Sequence, residues 1–361
     1  MENKTIQLLK SVENALKTQP DIAGQIAFQD IVDCTVKEIQ LNGTLIPQTQ
    51  YKETLERYLS MANQLCDGNY KTLCMLVSLS LLALSTLPQT MDYYTSDEWW
   101  SLKLKEGYTD EFKEIRKNIA SSGKLQVFNY PFTQNYDNMS VDVFIDEENN
   151  FPYIIYKNKR MYFPKTHTRE QIIEYCHGIF MEQDRQSPHS YIKDGFEVKE
   201  GDIIVDAGVA EGNFALDNID IASQIYLIEA DPIWADALRI TFKDYSDKVT
   251  IINAYLDSQS FDDHVCIDNL NLPKINYIKM DIEGFERNAL LGAVRTLEES
   301  SDIRLAICSY HNNGDEKWIR AFLSDYNFET DTSKGLMFAE WQPGALVDVD
   351  FRKGIVFARK E

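Results

Sequence analysis

Five ionisable side chains, Asp206, Glu229, Asp281, Glu283 and His311, each follow closely on a short apolar run. Asp206 closes the run 203–205, Glu229 the run 225–228, and residues 276–280 lead into Asp281-Ile282-Glu283-Gly284. The run 304–308 leads into Ser309-Tyr310-His311. Carboxylates at such strand tips can accept hydrogen bonds from ribose hydroxyls or orient a nucleophile, and a histidine, with a reference pKa near neutrality, can take its proton. The plain alternative is helix capping, which suits Asp281 and Glu283 ahead of a helical segment at 285–291. Capping does not explain ionisable groups at every tip of one edge beside apolar strand interiors, so the pattern reads as a site.

The elements that position these groups begin with a βαβ unit at 201–231. Runs 203–205 and 225–228 are β-branched and apolar, as strands buried on both faces are. Gly208 and Gly212 lie in the first turn, where they let backbone pass close to a ligand beside free helix N–H groups. Such a unit holds a nucleoside, either a dinucleotide or S-adenosylmethionine. A dinucleotide site calls for Gly-x-Gly-x-x-Gly, and here the spacing is Asp206-x-Gly208-x-x-x-Gly212. The carboxylates of Asp206 and Glu211 would repel a pyrophosphate but not a cationic methionine moiety, which favours the methyl donor. Further strands are expected at 249–252, ending in Asn253 and Ala254 beside an adenine, and at 276–280 and 304–308. In an open α/β sheet the ligand crevice lies beyond the carboxyl ends of these strands. Helices are expected from Asp231-Pro232 to 242 and over 285–291, with Asp262 and Asp263 capping another. Closing strands fall at 326–330, 335–341 and 354–358, with an antiparallel hairpin.

If a hydroxyl is the nucleophile, His311 suits the general base, and Asp281 orients the acceptor or the histidine or is itself the base. Lys279 and Glu283 are second choices. Two carboxylates and a histidine can also hold a divalent cation, which their spacing does not demand, so no metal is assigned.

The rest of the chain has no such constellation. Residues 1–122 read as a helical auxiliary domain, with helical periodicity at 6–16 and 55–65 and an apolar stretch at 73–87. That stretch falls short of the ~20 residues a membrane span needs and contains serines and a threonine, so it reads as a buried helix. Trp99 and Trp100 read as packing. Residues 123–195 form a β-rich connector with strands at 125–128, 141–145 and 153–156, then a helix at 169–181; the core occupies 196–361. Ahead of the core, His189 and Tyr191 flank Ser190 and can close over a ligand, although an ordinary surface loop is the plainer account. Net charge is −21, from 36 Lys plus Arg against 57 Asp plus Glu, which disfavours nucleic acid and anionic membrane as partners. Six scattered cysteines without a Cys-x-x-Cys pair suit a reducing compartment, and no signal peptide opens the chain, so the cytoplasm is expected. The helical region is left for a protein partner or self-association.

The motifs Asp206-Ala-Gly-Val-Ala-Glu-Gly-Asn-Phe214, Ile228-Glu-Ala-Asp-Pro232 and Tyr277-Ile-Lys-Met-Asp-Ile-Glu-Gly-Phe-Glu286 resemble those of the FkbM-type family of S-adenosylmethionine-dependent methyltransferases. Asn288-Ala-Leu-Leu-Gly-Ala293, Tyr310-His311 and Ser187-Pro-His-Ser-Tyr191 are similar too, and the resemblance spans roughly 151–360. It implies a class I methyltransferase fold: α/β, Rossmann-like, with a seven-stranded, mostly parallel sheet. It implies Asp206, Gly208 and Gly212 at the methionine end, Glu229 at the ribose, Asn253 and Ala254 at the adenine, and Asp281 and His311 facing the acceptor. Glu211 and Ala230 are further cofactor-binding candidates, Glu283 a further catalytic one, and His189, Tyr191 and Tyr310 substrate or lid candidates. A departure is Tyr255-Leu256-Asp257, where members commonly have a small residue and a short glycine turn. The resemblance further implies O-methylation of a sugar, glycan or secondary metabolite. Two other readings stand beside it: a nicotinamide-dependent oxidoreductase, disfavoured by the missing third glycine, and a non-catalytic nucleoside-binding module.

Overall fold

The computed structural model describes residues 109–123, 125–137, 139–339 and 350–361. The helical expectations at 6–16, 55–65 and 73–87, and Trp99 and Trp100, lie outside the described residues. The chain divides into two compact units, Met1–Val127 with Ala339–Asp350, and Phe128–Phe338 with Phe351–Glu361. In the first, helix α1 (Thr109–Ser122) buries Phe112, Ile115 and Ile119, a stripe at three- and four-residue spacing. Among the described residues no helix is long and apolar enough to cross a membrane.

The second unit opens with a small antiparallel sheet of β1 (Phe144–Ile145), β2 (Pro152–Tyr156) and β3 (Lys159–Tyr162). Helix α2 (Arg169–Glu182) follows, started by a reciprocal cap: Gln171 N donates to Thr168 Oγ1 at 3.3 Å, and Thr168 N to Gln171 Oε1 at 2.8 Å. Then come β4 (Ile203–Ala207), α3 (Asn213–Asn218), β5 (Gln224–Ile228), α4 (Pro232–Thr241) and β6 (Val249–Ile252). The short β7 (Tyr255–Leu256) and β8 (His264–Val265) pair with each other in a separate two-stranded sheet. Next are β9 (Tyr277–Met280), α5 (Glu286–Leu291), α6 (Val294–Glu299), β10 (Ile303–Cys308), α7 (Asp315–Asp325) and β11 (Glu329–Thr332), and finally β12 (Met337–Phe338), β13 (Phe351–Arg352) and β14 (Ile355–Lys360).

Seven of these strands make one mixed sheet in the order β11-β14-β10-β9-β4-β5-β6. Strands β6, β5, β4, β9 and β10 run parallel, and β14 is antiparallel to both β10 and β11. All residues of β9 and β10 are buried, as expected of central strands covered on both faces. One face packs Ile204, Ile225 and Tyr277 against α2, α3 and the β2–β3 hairpin. The other packs Val205, Ile278 and Leu305 against α5, α6 and α7. The result is a mixed α/β fold with its parallel strand tips on one edge.

Most expected elements form with shifted ends, and three expectations need correction. Residues 125–128 pair with no strand among the described residues, and only Phe144–Ile145 of 141–145 joins β2. Asp262 and Asp263 cap no helix: Asp262 sits at φ 47 in the turn between β7 and β8, whose pairing takes up the chain there. The first closing strand is Glu329–Thr332 rather than 326–330, because Tyr326 closes α7 as its C-cap.

Gly208 shows how tightly the strand tips meet. Its φ is +70, and a Cβ there would lie 1.6 Å from the carbonyl oxygen of Asp281. Gly178, inside α2, has nothing within 4 Å of a Cβ. In urea denaturation, Gly208→Ala is expected to cost more than about 2 kcal/mol of stability. Gly178→Ala is expected to add roughly 0.5–1 kcal/mol; similar effects of the two would contradict this packing.

Candidate active site

The turn after β4 is held by the tip of β5. Glu229 Oε2 accepts the backbone N–H of Val209 at 3.0 Å and of Ala210 at 2.9 Å, while Oε1 accepts that of Asp231 at 2.8 Å. Ala210 has φ 48, so these bonds stabilise a left-handed, non-glycine residue at the turn. At the tip of β6, Ala254 N donates to Glu229 O at 3.1 Å, and Asn253 Nδ2 donates to the carbonyls of Glu229 and Ala230 at 2.8 and 3.0 Å.

On the β9 and β10 side, Asp281 is the hub. It accepts the Tyr191 hydroxyl at 2.6 Å and the Tyr310 hydroxyl at 3.3 Å, with His189 Nε2 and His311 Nε2 each 3.5 Å from one of its oxygens. Burial alone would raise the Asp281 carboxyl, but His189, His311 and Lys279 outweigh it and hold it well below the usual carboxylate range. Burial and the neighbouring Asp281 push both tyrosine hydroxyls well above their ordinary value, so they donate. His311 is 2.9 Å from Glu286 through Nδ1 and 3.6 Å from Glu283 through Nε2. Burial opposes its charge, yet Glu286, Asp281 and Glu283 together push the imidazole up to about 9.

These tips border a cavity of about 680 Å³. Of the residues singled out from sequence, Gly208, Glu211, Glu229, Ala230, Ala254, Asp281, Glu283, Tyr191 and Tyr310 line it. Asp206, Gly212, Asn253, His189 and His311 stand outside the lining. Asp206 is buried 3.2 Å from Lys279 Nζ, and Gly212 allows close packing of Leu238 and Phe242, 2.9 Å from where a Cβ would sit. His189 is buried, its Nε2 3.1 Å from the Tyr310 hydroxyl and its Nδ1 3.3 Å from Gln183, so it braces the wall rather than closing over it. Lys279 does line the cavity, but although burial opposes its charge, Asp206 and Asp281 raise its ammonium far above the ordinary value. A lysine held charged cannot serve as a base.

Sequence reasoning missed one wall altogether. Tyr175, Gly178, Ile179 and Glu182 project from α2, one face of a helix at three- and four-residue spacing. Tyr175 donates to Glu211 Oε2 at 2.9 Å, and burial pushes the Glu211 carboxyl up to about 7 despite that bond. Trp234 and the pair Tyr255 and His264 also line it; the Tyr255 and His264 rings stack at 5.1 Å, and Asp257 holds His264 Nδ1 at 3.1 Å. Tyr255 and Leu256 are the departure from the family pattern noted above, and both border the cavity. Helical spacing in 175–182 was visible in the sequence, but nothing there said which face would meet the strand tips.

Two groups among the described residues bring three ligand-type atoms within 4.8 Å of one another: His189 with Asp281 and Cys308, and Asp281 with Glu286 and His311. In both, the histidine and carboxylates already engage each other or the neighbouring tyrosines, so they are read as ion pairs rather than as a metal centre. Five carboxyl side chains line the cavity (Glu182, Glu211, Glu229, Asp281 and Glu283) against Lys279 and His264, a setting suited to a cation.

The raised His311 value predicts a pH effect on stability. An imidazole titrates near 6.5 when unfolded, so its contribution is full below that pH and is lost as pH rises through about 9. Urea titrations should show wild type losing up to about 3 kcal/mol more than His311→Asn across that window. Parallel profiles would remove the ion pair from this account.

Part of the chain is similar to known methyltransferases. Residues 211–330 match the Methyltransferase FkbM domain. No curated protein shows a significant sequence match. Among solved structures, methyltransferase FkbM from Methylobacillus flagellatus KT is similar at 22% identity and TM-score 0.39, over 50% of this chain and 49% of that one. The chain thus spans about half the length of that relative. Precorrin-6y C5,15-methyltransferase from Geobacter metallireducens GS-15 is similar at 12% identity and TM-score 0.36, over 58% and 97%. A Streptococcus mutans protein solved in complex with SAH follows at 16% and 0.32, over 52% and 97%. The resemblance read from the sequence and the family model thus fall on the same stretch: residues 211–330 match the Methyltransferase FkbM domain.

Proposed function

We propose that the chain is an S-adenosylmethionine-dependent O-methyltransferase of class I architecture, acting on a hydroxyl of a sugar, glycan or secondary metabolite. One observation carries the reading: a single cavity has the β4 turn and Glu229 on one side and Asp281 and Tyr310 on the other. When bound, S-adenosylmethionine supplies an electrophilic methyl group on a sulfonium. The acid-rich lining suits that cation, and it disfavours the pyrophosphate of the alternative nicotinamide oxidoreductase. Glu229, besides holding the turn, presents its carboxylate at the cavity wall where a ribose can donate to it.

Asp281 is better placed than His311 to receive the acceptor's proton, because it lines the cavity and stays ionised. As the new O–C bond forms, the hydroxyl becomes strongly acidic, so a weak carboxylate base is sufficient. Tyr191 and Tyr310 fix the orientation of Asp281, and the His311 and Lys279 cations balance its charge. The proposed setting is the cytoplasm, with a small-molecule or glycan acceptor and any protein partner reserved for the N-terminal region.

Two measurements test this. Glu229→Ala should weaken S-adenosylhomocysteine binding in calorimetry by about tenfold or more, and unchanged affinity would remove its ribose role. In a screen of hydroxylated acceptors followed by S-adenosylhomocysteine release, Asp281→Asn should reduce turnover by roughly 10²–10⁴-fold. Wild-type kcat should stay flat from pH 6 to 8; a tenfold rise per pH unit toward about 9 would make His311 the base.

A further inference from the structure

Glu286 is fully buried in the first turn of α5 and does not line the cavity. Its Oε1 accepts the backbone N–H of Ile282 at 3.0 Å and of Gly284 at 3.4 Å, and the same oxygen lies 2.9 Å from His311 Nδ1. Its Oε2 is buried with no hydrogen-bond partner among the described residues. A buried carboxylate with one oxygen unpartnered is costly, so the bonds of its other oxygen must offset that cost. Between the two amides sits Glu283, at φ 56, a left-handed conformation that neighbouring bonds must hold.

We propose that Glu286 is a positioning residue: one carboxylate oxygen pins the turn that carries Asp281 while clamping the His311 imidazole, locking the two into one geometry. This rests on the proposed role of Asp281 in the methyl-transfer reading. The clamp acts from behind the site, since Glu286 does not line the cavity. His311 is also faced by Asp281 and Glu283 from the turn and by the adjacent Tyr310 ring, with centroids 4.1 Å apart. His189, 3.5 Å from the other Asp281 oxygen, also repels its charge, and Arg352 Nη1 donates to the His311 carbonyl at 2.9 Å. Among the described carboxylates Glu286 approaches its ring most closely, at 2.9 Å from Nδ1, so removing that charge should be felt there first.

The test uses the unliganded full chain and does not need an acceptor. With five histidines in the sequence, ring resonances can be assigned by NMR with His311→Asn as the control. In Glu286→Gln the amide oxygen can still accept both N–H groups, so turn protection should persist while the His311 midpoint falls by about 1–3 pH units. In Glu286→Ala, hydrogen exchange at Ile282 and Gly284 should also become at least about tenfold faster. Affinity for S-adenosylhomocysteine should stay within about threefold of wild type in Glu286→Gln. An unchanged His311 midpoint in Glu286→Gln overturns the clamp, and unchanged exchange in Glu286→Ala overturns the pin. Failure of the wild type to bind S-adenosylhomocysteine would instead sink the methyltransferase reading and leave the NMR result intact.

Discussion

The buried ammonium of Lys279 is the constraint on which the strand tips depend. It stands in the middle of β9, the central strand of the sheet, 4% exposed, with its charge 3.2 Å from Asp206 on β4. Its hydrogens also reach the carbonyls of Ala207 and Gly208, and it lies 5.1 Å from the centroid of the Tyr191 ring. Removing a charge from water is expensive unless every bond is replaced, and here the replacements come from the next strand, its turn and the lead-in segment. The same ion pair that satisfies Lys279 therefore fixes the β4 turn against β9 and orders Tyr191 above both.

From that fixed point the electrostatics of the site follow. The Asp281 carboxyl, one residue beyond β9, has two histidines and Lys279 around it and two tyrosine hydroxyls donating to it. Low dielectric strengthens each of these interactions, and together they keep a partly buried carboxylate ionised. Glu211 on the same wall lacks such support. It is pushed up to about 7 by its burial, with Tyr175 as a single donor. One cavity thus contains a carboxylate held firmly charged and another near its titration point, a contrast set by neighbours rather than by residue type.

Helix α2 shows how an element outside the sheet completes a site built by the sheet. Its start is determined locally, by Thr168 and Gln171, and its apolar side joins the core through Ile172, Cys176 and Ile179. With that side committed, Tyr175, Gly178 and Glu182 are left facing the strand tips. The lead-in residues 187–191 then bring Tyr191 to Asp281 and His189 behind Tyr310. Structural bracing and cavity lining are divided between neighbouring residues of one short segment.

What the sequence by itself determined was local. A β-branched run closed by a carboxylate identifies a strand and its tip within a few residues, and so Asp206, Glu229, Asp281 and the parallel sheet were legible. Glycines at 208 and 212 were legible as turn residues for the same reason. What only the tertiary structure decided was the direction and company of each side chain. Asp206 turns inward to Lys279, Gly212 makes room for α4, and His311 lies behind Asp281 against Glu286. Those outcomes depend on contacts between segments tens of residues apart, where burial and charge pairing are settled together. A one-dimensional pattern can place an ionisable group at an edge, but its protonation and its reach into a cavity come from the three-dimensional neighbours that desolvate it.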